Sequence, residues 1–205
     1  MDSFKFTPVI GITGGAGSGK SYVAEVLSAA CKVYHINTDR ISERQMAKGG
    51  CVYAKVLEYF GKDFLGADGE INRKKLGEYI FQKPDELVVL NSLTHPPVRD
   101  EVDKRIQQGK SEKYDVILLE TALLFEAGYE EICDEIWYVY ATRDARKARL
   151  MQSRGYTAER IQSMLKRQHT DTFFRAHADY VINNTYTDVK KLSDRLLKRL
   201  KRLQM

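Results

Sequence analysis

The run Gly14-Gly15-Ala16-Gly17-Ser18-Gly19-Lys20-Ser21 has the residue types and spacing of a phosphate cradle, G-x-x-x-x-G-K-[ST]. Glycines let the backbone curl so that successive N–H groups face one anion, and a helix start behind them adds its positive dipole end. Lys20 supplies a mobile cation for the β- and γ-phosphates, and Ser21 offers a hydroxyl to Mg²⁺. A glycine-rich turn with a fortuitous lysine is the plain alternative. Two carboxylates could complete the chemistry. Asp39 follows a short apolar run, where it could accept a proton from a substrate hydroxyl, help hold Mg²⁺, or simply cap the helix that begins near Ile41. Glu120 ends a longer apolar run, the place of a carboxylate that holds Mg²⁺ directly or through water.

Such groups need a scaffold that brings them to one edge. Pro8–Thr13 is apolar and β-branched and reads as a buried strand; Tyr22–Ala30 reads as a helix, with Val23, Leu27 and Ala30 on one face. Val33–Ile36, Tyr114–Glu120, Asp134–Tyr140 and Tyr180–Asn183 read as four more strands. The expected fold is α/β: a three-layer P-loop fold with a five-stranded parallel sheet flanked by helices, ligands gathering at the C-terminal strand ends. Residues 41–110 break the strand–helix rhythm, with helices expected over 41–48, 51–60, 73–82, 85–93 and 97–108, and with Pro84, Pro96 and Pro97 at helix starts. Residues 143–177 carry seven arginines, Arg149 and Arg154 among them, on two helices split by Gly155. A cationic hairpin there could close over phosphates as a lid; solvated arginine is the alternative. The division expected is a nucleotide-binding core of 1–40, 111–142 and 178–205, a helical acceptor-binding lobe of 41–110 and a lid of 143–177.

Composition bounds the rest. The chain has 205 residues, ordinary hydrophobic content at 43% and a net charge of +5. Residues 190–202 hold seven basic side chains against one acid, more than the whole excess, with Leu192, Leu196, Leu200 and Leu203 down one face. That reads as an amphipathic helix docked on the core with a solvated basic face; contact with nucleic acid or a membrane surface is the less favoured reading. Cys31, Cys51 and Cys133 have no metal-ligand or disulfide spacing and are expected to be reduced and mostly buried. No apolar run reaches the roughly 18–20 residues of a membrane span, and no signal-peptide core is evident, so a cytoplasmic protein is expected.

Taken together, the motifs resemble dephospho-coenzyme A kinase, a P-loop kinase of the nucleotide-kinase-like group, from about residue 8 to residue 200. The stretches that carry the resemblance are Ile10–Ser21, Asn37-Thr38-Asp39-Arg40-Ile41, Phe60-Gly61, Asp68–Leu76, Leu90-Asn91-Ser92-Leu93-Thr94-His95-Pro96, Leu123–Glu126 and Ala178–Asn184. The resemblance implies transfer of the γ-phosphoryl of ATP to the ribose 3′-hydroxyl of dephospho-coenzyme A, with Mg²⁺ as cofactor. It implies Asp39 as the group that deprotonates or orients the hydroxyl, and Gly14, Gly15, Ala16, Gly17, Ser18, Gly19, Lys20, Ser21 and Tyr22 along the nucleotide. Ser21 and Glu120 would be the metal side, Arg73, Asn91 and His95 the acceptor side, and Lys20 with Arg149 or Arg154 the neutralisers of developing charge. The residues alone leave open a kinase for another small acceptor and a non-catalytic ATP-binding protein with a basic tail.

The chain also departs from the family pattern. Asn37 stands where an aspartate is usual, Glu120 is one methylene longer than the usual aspartate, and Tyr22 replaces a common threonine. Ser153 takes a usual arginine position with Arg154 beside it, and Arg175 is displaced by one place. One place on a helix is about 100°, so either the lid backbone shifts or these arginines no longer reach phosphate.

Overall fold

The three central strands are short apolar runs that bury both faces. Val9–Thr13 (β1) is buried at every position, and Lys20–Ser28 (α1) follows it across the glycine loop. In chain order come Val33–Asn37 (β2), Thr38–Met46 (α2), Tyr53–Phe60 (α3), Arg73–Phe81 (α4), Pro84–Ser111 (α5) and Val116–Glu120 (β3). Then follow Glu135–Tyr140 (β4), Arg143–Arg154 (α6), Ala158–Lys166 (α7), Asp171–His177 (α8), Tyr180–Asn183 (β5) and Val189–Leu203 (α9). This computed structural model describes residues 6–186 and 188–205; the first five residues of the segment 1–40 and Thr187 of the segment 178–205 lie outside the described residues.

The five strands form one sheet in the order β2-β3-β1-β4-β5. β1 runs parallel to both β3 and β4, and β4 parallel to β5. The expected five-stranded parallel sheet is therefore present, with the glycine loop rising from its central strand. The chain divides into two compact units, one of the residues up to Ile36 with Gln108–Met205, the other Asn37–Gln107. Helices α6 to α8 belong to the first.

In the first unit, strand alternation assigns the layers. Ile10, Leu118, Trp137 and Val139 pack with Val23 and Leu27 of α1 and with Leu192, Leu196 and Leu200 of α9. α9 is thus the docked amphipathic helix its leucine spacing implies. Its basic face is not wholly solvated: Arg199 donates from Nε and Nη2 to the Glu135 carboxylate at 3.0 and 2.5 Å. Glu135 is buried and also accepts from Trp137 Nε1 at 2.7 Å, so this pair joins α9 to β4. On the opposite sheet face Gly11 leaves room for Leu124, whose Cδ1 would lie 2.6 Å from a Cβ there.

The second unit has its own core, in which Met46, Val52, Val56, Phe64, Leu76 and Ile80 are buried together. Its main departure from expectation is α5. Pro96 and Pro97 sit inside one 28-residue helix and do not begin a second. A proline deletes a helical donor and crowds the carbonyl four residues back. Here Leu90, Thr94, Val98, Val102 and Ile106 step by four straight through the prolines, and the last four are buried. Thr94 Oγ1 donates to Leu90 O at 2.9 Å, and Gln45 Nε2 donates to Pro97 O at 2.9 Å. One continuous packed stripe outweighs the missing backbone bonds.

The thiols also depart from expectation. Cys31 and Cys133 are half-buried, but Cys51 is exposed, because it lies in the turn before α3 and not on a packed face. All three are free cysteines. Among the described residues, no helix is long and apolar enough to cross a membrane.

Candidate active site

The glycine loop has the backbone its sequence requires. Gly14 has φ +144°, and a Cβ there would lie 2.4 Å from Val139 O. Gly19, the N-cap of α1, has φ +94°. Ser18 N donates to Gly15 O at 3.1 Å, which closes the turn. Curling N–H groups inward turns the carbonyls of such a loop outward, and the first turn of α1 leaves further N–H groups without helical partners. Lys20 Nζ donates to Gly14 O at 2.9 Å, holding its ammonium against the loop.

Beside it lies a carboxylate with two donors. The parallel register sets Glu120 next to Ile12, level with the end of β1. Ser21 Oγ donates to Glu120 Oε1 at 2.6 Å. His35, from β2, donates through Nε2 to Glu120 Oε2 at 2.9 Å. Glu120 is 5% exposed. Burial pushes its pKa up, but the hydrogen bonds from His35 and Ser21 and the charges of His35 and Lys20 outweigh burial, and the net shift is down. The group is therefore an anion at neutral pH, and Ser21 and Glu120 together offer hard oxygen donors of the kind Mg²⁺ takes.

The carbonyl side of the loop is held by α6 and the chain after β5. Arg146 Nε donates to Ala16 O at 2.8 Å, and its Nη2 donates to Gln168 Oε1 at 2.5 Å. The same Gln168 oxygen accepts from Ala16 N at 3.2 Å. Arg149 Nη1 reaches Ser18 O at 3.1 Å and Gly17 O at 3.4 Å, while Nη2 reaches Asn184 O at 2.7 Å and Thr185 O at 3.2 Å. Asn184, buried at 3% exposure, donates from Nδ2 to Ser18 O at 2.8 Å. Burial lowers the pKa of Arg146 from the ordinary arginine value, the largest influence on it. Next to this junction, Tyr140, Thr142, Asn183, Thr185, Tyr186 and Arg195 line an open cavity of about 420 Å³ at the C-terminal ends of β4 and β5.

The residues singled out from sequence thus fall into distinct settings. Gly14–Ser21 and Glu120 come together as the spacing implies, and Arg149 joins them through carbonyls. Ala16 gives its N–H to Gln168. Tyr22 is exposed on α1. Arg154, also exposed, ends α6 with its guanidinium carbon 6.0 Å from the Tyr156 ring centre. Arg175 pairs with Asp171 at 2.9 Å and lies over the Tyr140 ring at 4.8 Å.

In the second unit, Asp39 occupies the first turn of α2 and is exposed. It is not the cap. Asn37 Oδ1 accepts from Arg40 N at 3.0 Å and fills that role, because the helix begins at Thr38, three residues earlier than the apolar periodicity implies. Arg73 begins α4 behind the Asn72 cap and pairs with Glu43 at 2.7 Å. Asn91 and His95 are half-buried on α5, and burial lowers the pKa of His95.

Sequence reasoning misses His35, Gln168 and Asn184 as site residues and counts Arg146 only among the lid arginines. Two signals could have found some of them. His35 is a polar residue on the same strand face as Asn37, and Asn184 directly follows the end of the fifth strand.

Comparison with known proteins follows the same lines. The profile of the dephospho-CoA kinase family matches residues 8–189. A dephospho-CoA kinase from Carboxydothermus hydrogenoformans is 39% identical over 178 residues, covering 87% of this chain and 86% of that one. One from Corynebacterium diphtheriae is 36% identical over 177 residues, covering 86% and 88%. Among solved structures, a Thermus thermophilus protein superposes with a TM-score of 0.81 at 27% identity, covering 97% of this chain and 98% of the other.

Proposed function

The chain belongs to the dephospho-CoA kinase family, and from that membership we propose that it moves the γ-phosphoryl group of ATP to the ribose 3′-hydroxyl of dephospho-coenzyme A, the final step of coenzyme A synthesis. The observation that carries the proposal is the Ser21–Glu120 pair beside Lys20 on a properly curled glycine loop. Phosphoryl transfer asks little covalent work of a protein, so positioning and charge stabilisation do most of it.

In this proposal the N–H groups of the loop and Lys20 bind the triphosphate. Ser21 and the ionised Glu120 would hold Mg²⁺. When bound, that cation would neutralise charge that develops on the phosphates during transfer. Asp39 orients the acceptor hydroxyl and takes its proton, and Arg73, Asn91 and His95 serve the acceptor side. The cavity beyond Thr185 suits the nucleoside half of ATP, being open, polar-lined and next to the loop. Residues 143–177 act as the lid. Arg154, exposed on it, is the arginine we assign to charge stabilisation. Arg149 shapes the cradle instead, since its guanidinium bonds four carbonyl oxygens of the loop and the chain after β5. We take the enzyme to act in the cytoplasm.

The test is release of ADP with dephospho-coenzyme A, adenosine and AMP as separate and competing acceptors. Turnover with the first alone is the expected result. Equal turnover with adenosine or AMP assigns a different acceptor. ATP binding without acceptor-dependent ADP makes the protein a non-catalytic binder.

A further inference from the structure

Glu120 is a long side chain asked to hold a fixed position. Three torsions separate its carboxylate from the backbone. Two donors from other elements hold it. Ser21 Oγ, on α1, takes Oε1 at 2.6 Å, and His35 Nε2, on β2, takes Oε2 at 2.9 Å. Oε1 therefore faces the hydroxyl that belongs to the phosphate cradle, and Oε2 faces the neighbouring strand. Because a carboxylate can only accept, Nε2 of His35 bears a proton in this contact.

The two donors have different fates when a cation arrives. The Ser21 hydroxyl is itself one of the oxygens that would hold the metal, so its bond to Glu120 is the one that binding rearranges. The His35 bond lies on the other oxygen, Oε2, and need not be broken to free Oε1 for the cation. His35 thus fixes Glu120 independently of Ser21, and its side chain is 29% exposed against 7% for Glu120, placing it at the outer wall of the site. Partners that hydrogen-bond a ligating carboxylate set its orientation and tune the affinity of the metal.

We propose that His35 is a positioning residue of the divalent-cation site: by fixing Oε2 of Glu120, it presents Oε1 beside the Ser21 hydroxyl and so sets how tightly the nucleotide-bound cation is held. This rests on the Ser21–Glu120 cation site proposed above. His35 does not touch nucleotide or acceptor in this scheme. It acts through Glu120 alone, so its effect belongs to the cation and not to the triphosphate.

The experiment measures Mn²⁺ binding, as an oxygen-ligated stand-in for Mg²⁺, to the full chain saturated with a non-hydrolysable ATP analogue, with free Mn²⁺ read by electron paramagnetic resonance. His35→Leu removes the donor and keeps the bulk. His35→Asn keeps a polar group too short to reach Oε2, and guards against a folding defect in the leucine variant. His35→Gln places an amide nitrogen near the position of Nε2. The expected result is Mn²⁺ affinity about 10-fold weaker or more for H35L and H35N, recovered in H35Q, with analogue affinity in chelator equal to that of the parent chain. The inference is overturned if H35L and H35N bind Mn²⁺ as the parent does while Glu120→Gln binds it weakly. If E120Q also binds Mn²⁺ normally, the cation-site assignment itself falls, and the inference with it. A loss of analogue affinity in chelator equal to the loss of Mn²⁺ affinity overturns it as well, since that marks general damage to the cradle.

Discussion

Replacing Arg149 with methionine tests whether α6 shapes the phosphate cradle or serves only the reaction. Methionine keeps much of the apolar stem and removes the guanidinium. With it go two well-formed hydrogen bonds, at 2.7 Å to Asn184 O and 3.1 Å to Ser18 O, and two weaker ones, at 3.2 Å to Thr185 O and 3.4 Å to Gly17 O. Hydrogen bonds to a charged group contribute about 1.5–3 kcal/mol each. Arg149 is only half-buried, so water reaches some of the abandoned carbonyls, and the strong pair then leaves a net destabilisation of about 2–3 kcal/mol. For a chain of roughly 150–250 residues each kcal/mol moves Tm by about 2–4 °C, so ligand-free R149M should melt about 4–12 °C below the parent. R149K keeps the charge but not the planar fork, and cannot join the loop to Asn184 and Thr185 at once; it should recover less than half of that stability. The assay is thermal unfolding of the ligand-free protein followed by circular dichroism, with ATP affinity and turnover alongside. An arginine that acts only on transferring phosphate leaves the ligand-free Tm unchanged and lowers kcat. A Tm for R149M within about 1 °C of the parent refutes the cradle role.

Asp39→Asn should lower kcat by about 100-fold or more, with ATP affinity nearly unchanged, as expected for loss of a general base; near-parental turnover in a coupled ADP assay removes Asp39 from that role. Burial, with the charge of Asp115 beside it, pushes the Cys31 thiol up to about 11, whereas Cys51 is exposed. Iodoacetamide at pH 8 should therefore label Cys51 first by peptide mass spectrometry, and early labelling of Cys31 contradicts its burial. Burial holds the pKa of His95 below its usual 6.5, so its contribution to stability is complete above that pH and is lost as pH falls through the lowered value. His95→Asn should flatten the decline in denaturant midpoint between pH 7.5 and 5; an identical decline in both proteins shows that His95 does not titrate with folding.

The parts legible in sequence are those that local composition determines. Glycines at fixed spacing between an apolar strand and an amphipathic helix specify the backbone of residues 14–21 almost alone, and apolar runs of strand length specify the sheet. Helix α5 defeats a local reading because a proline is a strong signal at one position, whereas a stripe at every fourth residue, from Leu90 to Ile106, is a weak one spread over many. The cap of α2 does so for a related reason. Asn37 and Asp39 both suit a cap, and only the true start of the helix chooses between them. Side-chain direction is the part that sequence conceals most. Arg146 and Ala16 are 130 positions apart, and His35 and Glu120 are 85 apart. A long side chain takes its direction from partners that only the fold supplies.

The same principle explains why the arginine count of residues 143–177 points to a lid while the geometry divides the segment. A phosphate-binding loop has two faces. The one lined by N–H groups is written in the glycine pattern, and the one lined by carbonyls must be satisfied by whatever packs behind it. Here Arg146 and Arg149, on successive turns of α6, do so together with Asn184. A motion that carried α6 off the loop would expose those carbonyls and strip two guanidinium groups of their carbonyl partners, so α6 belongs energetically with the cradle. Gly155, with φ +61° just past the end of α6, is where the backbone leaves that constraint. Within the proposed lid of residues 143–177, movement over substrate would therefore fall to residues 156–167, between Gly155 and Gln168, because Gln168 is itself bonded to Ala16 and Arg146.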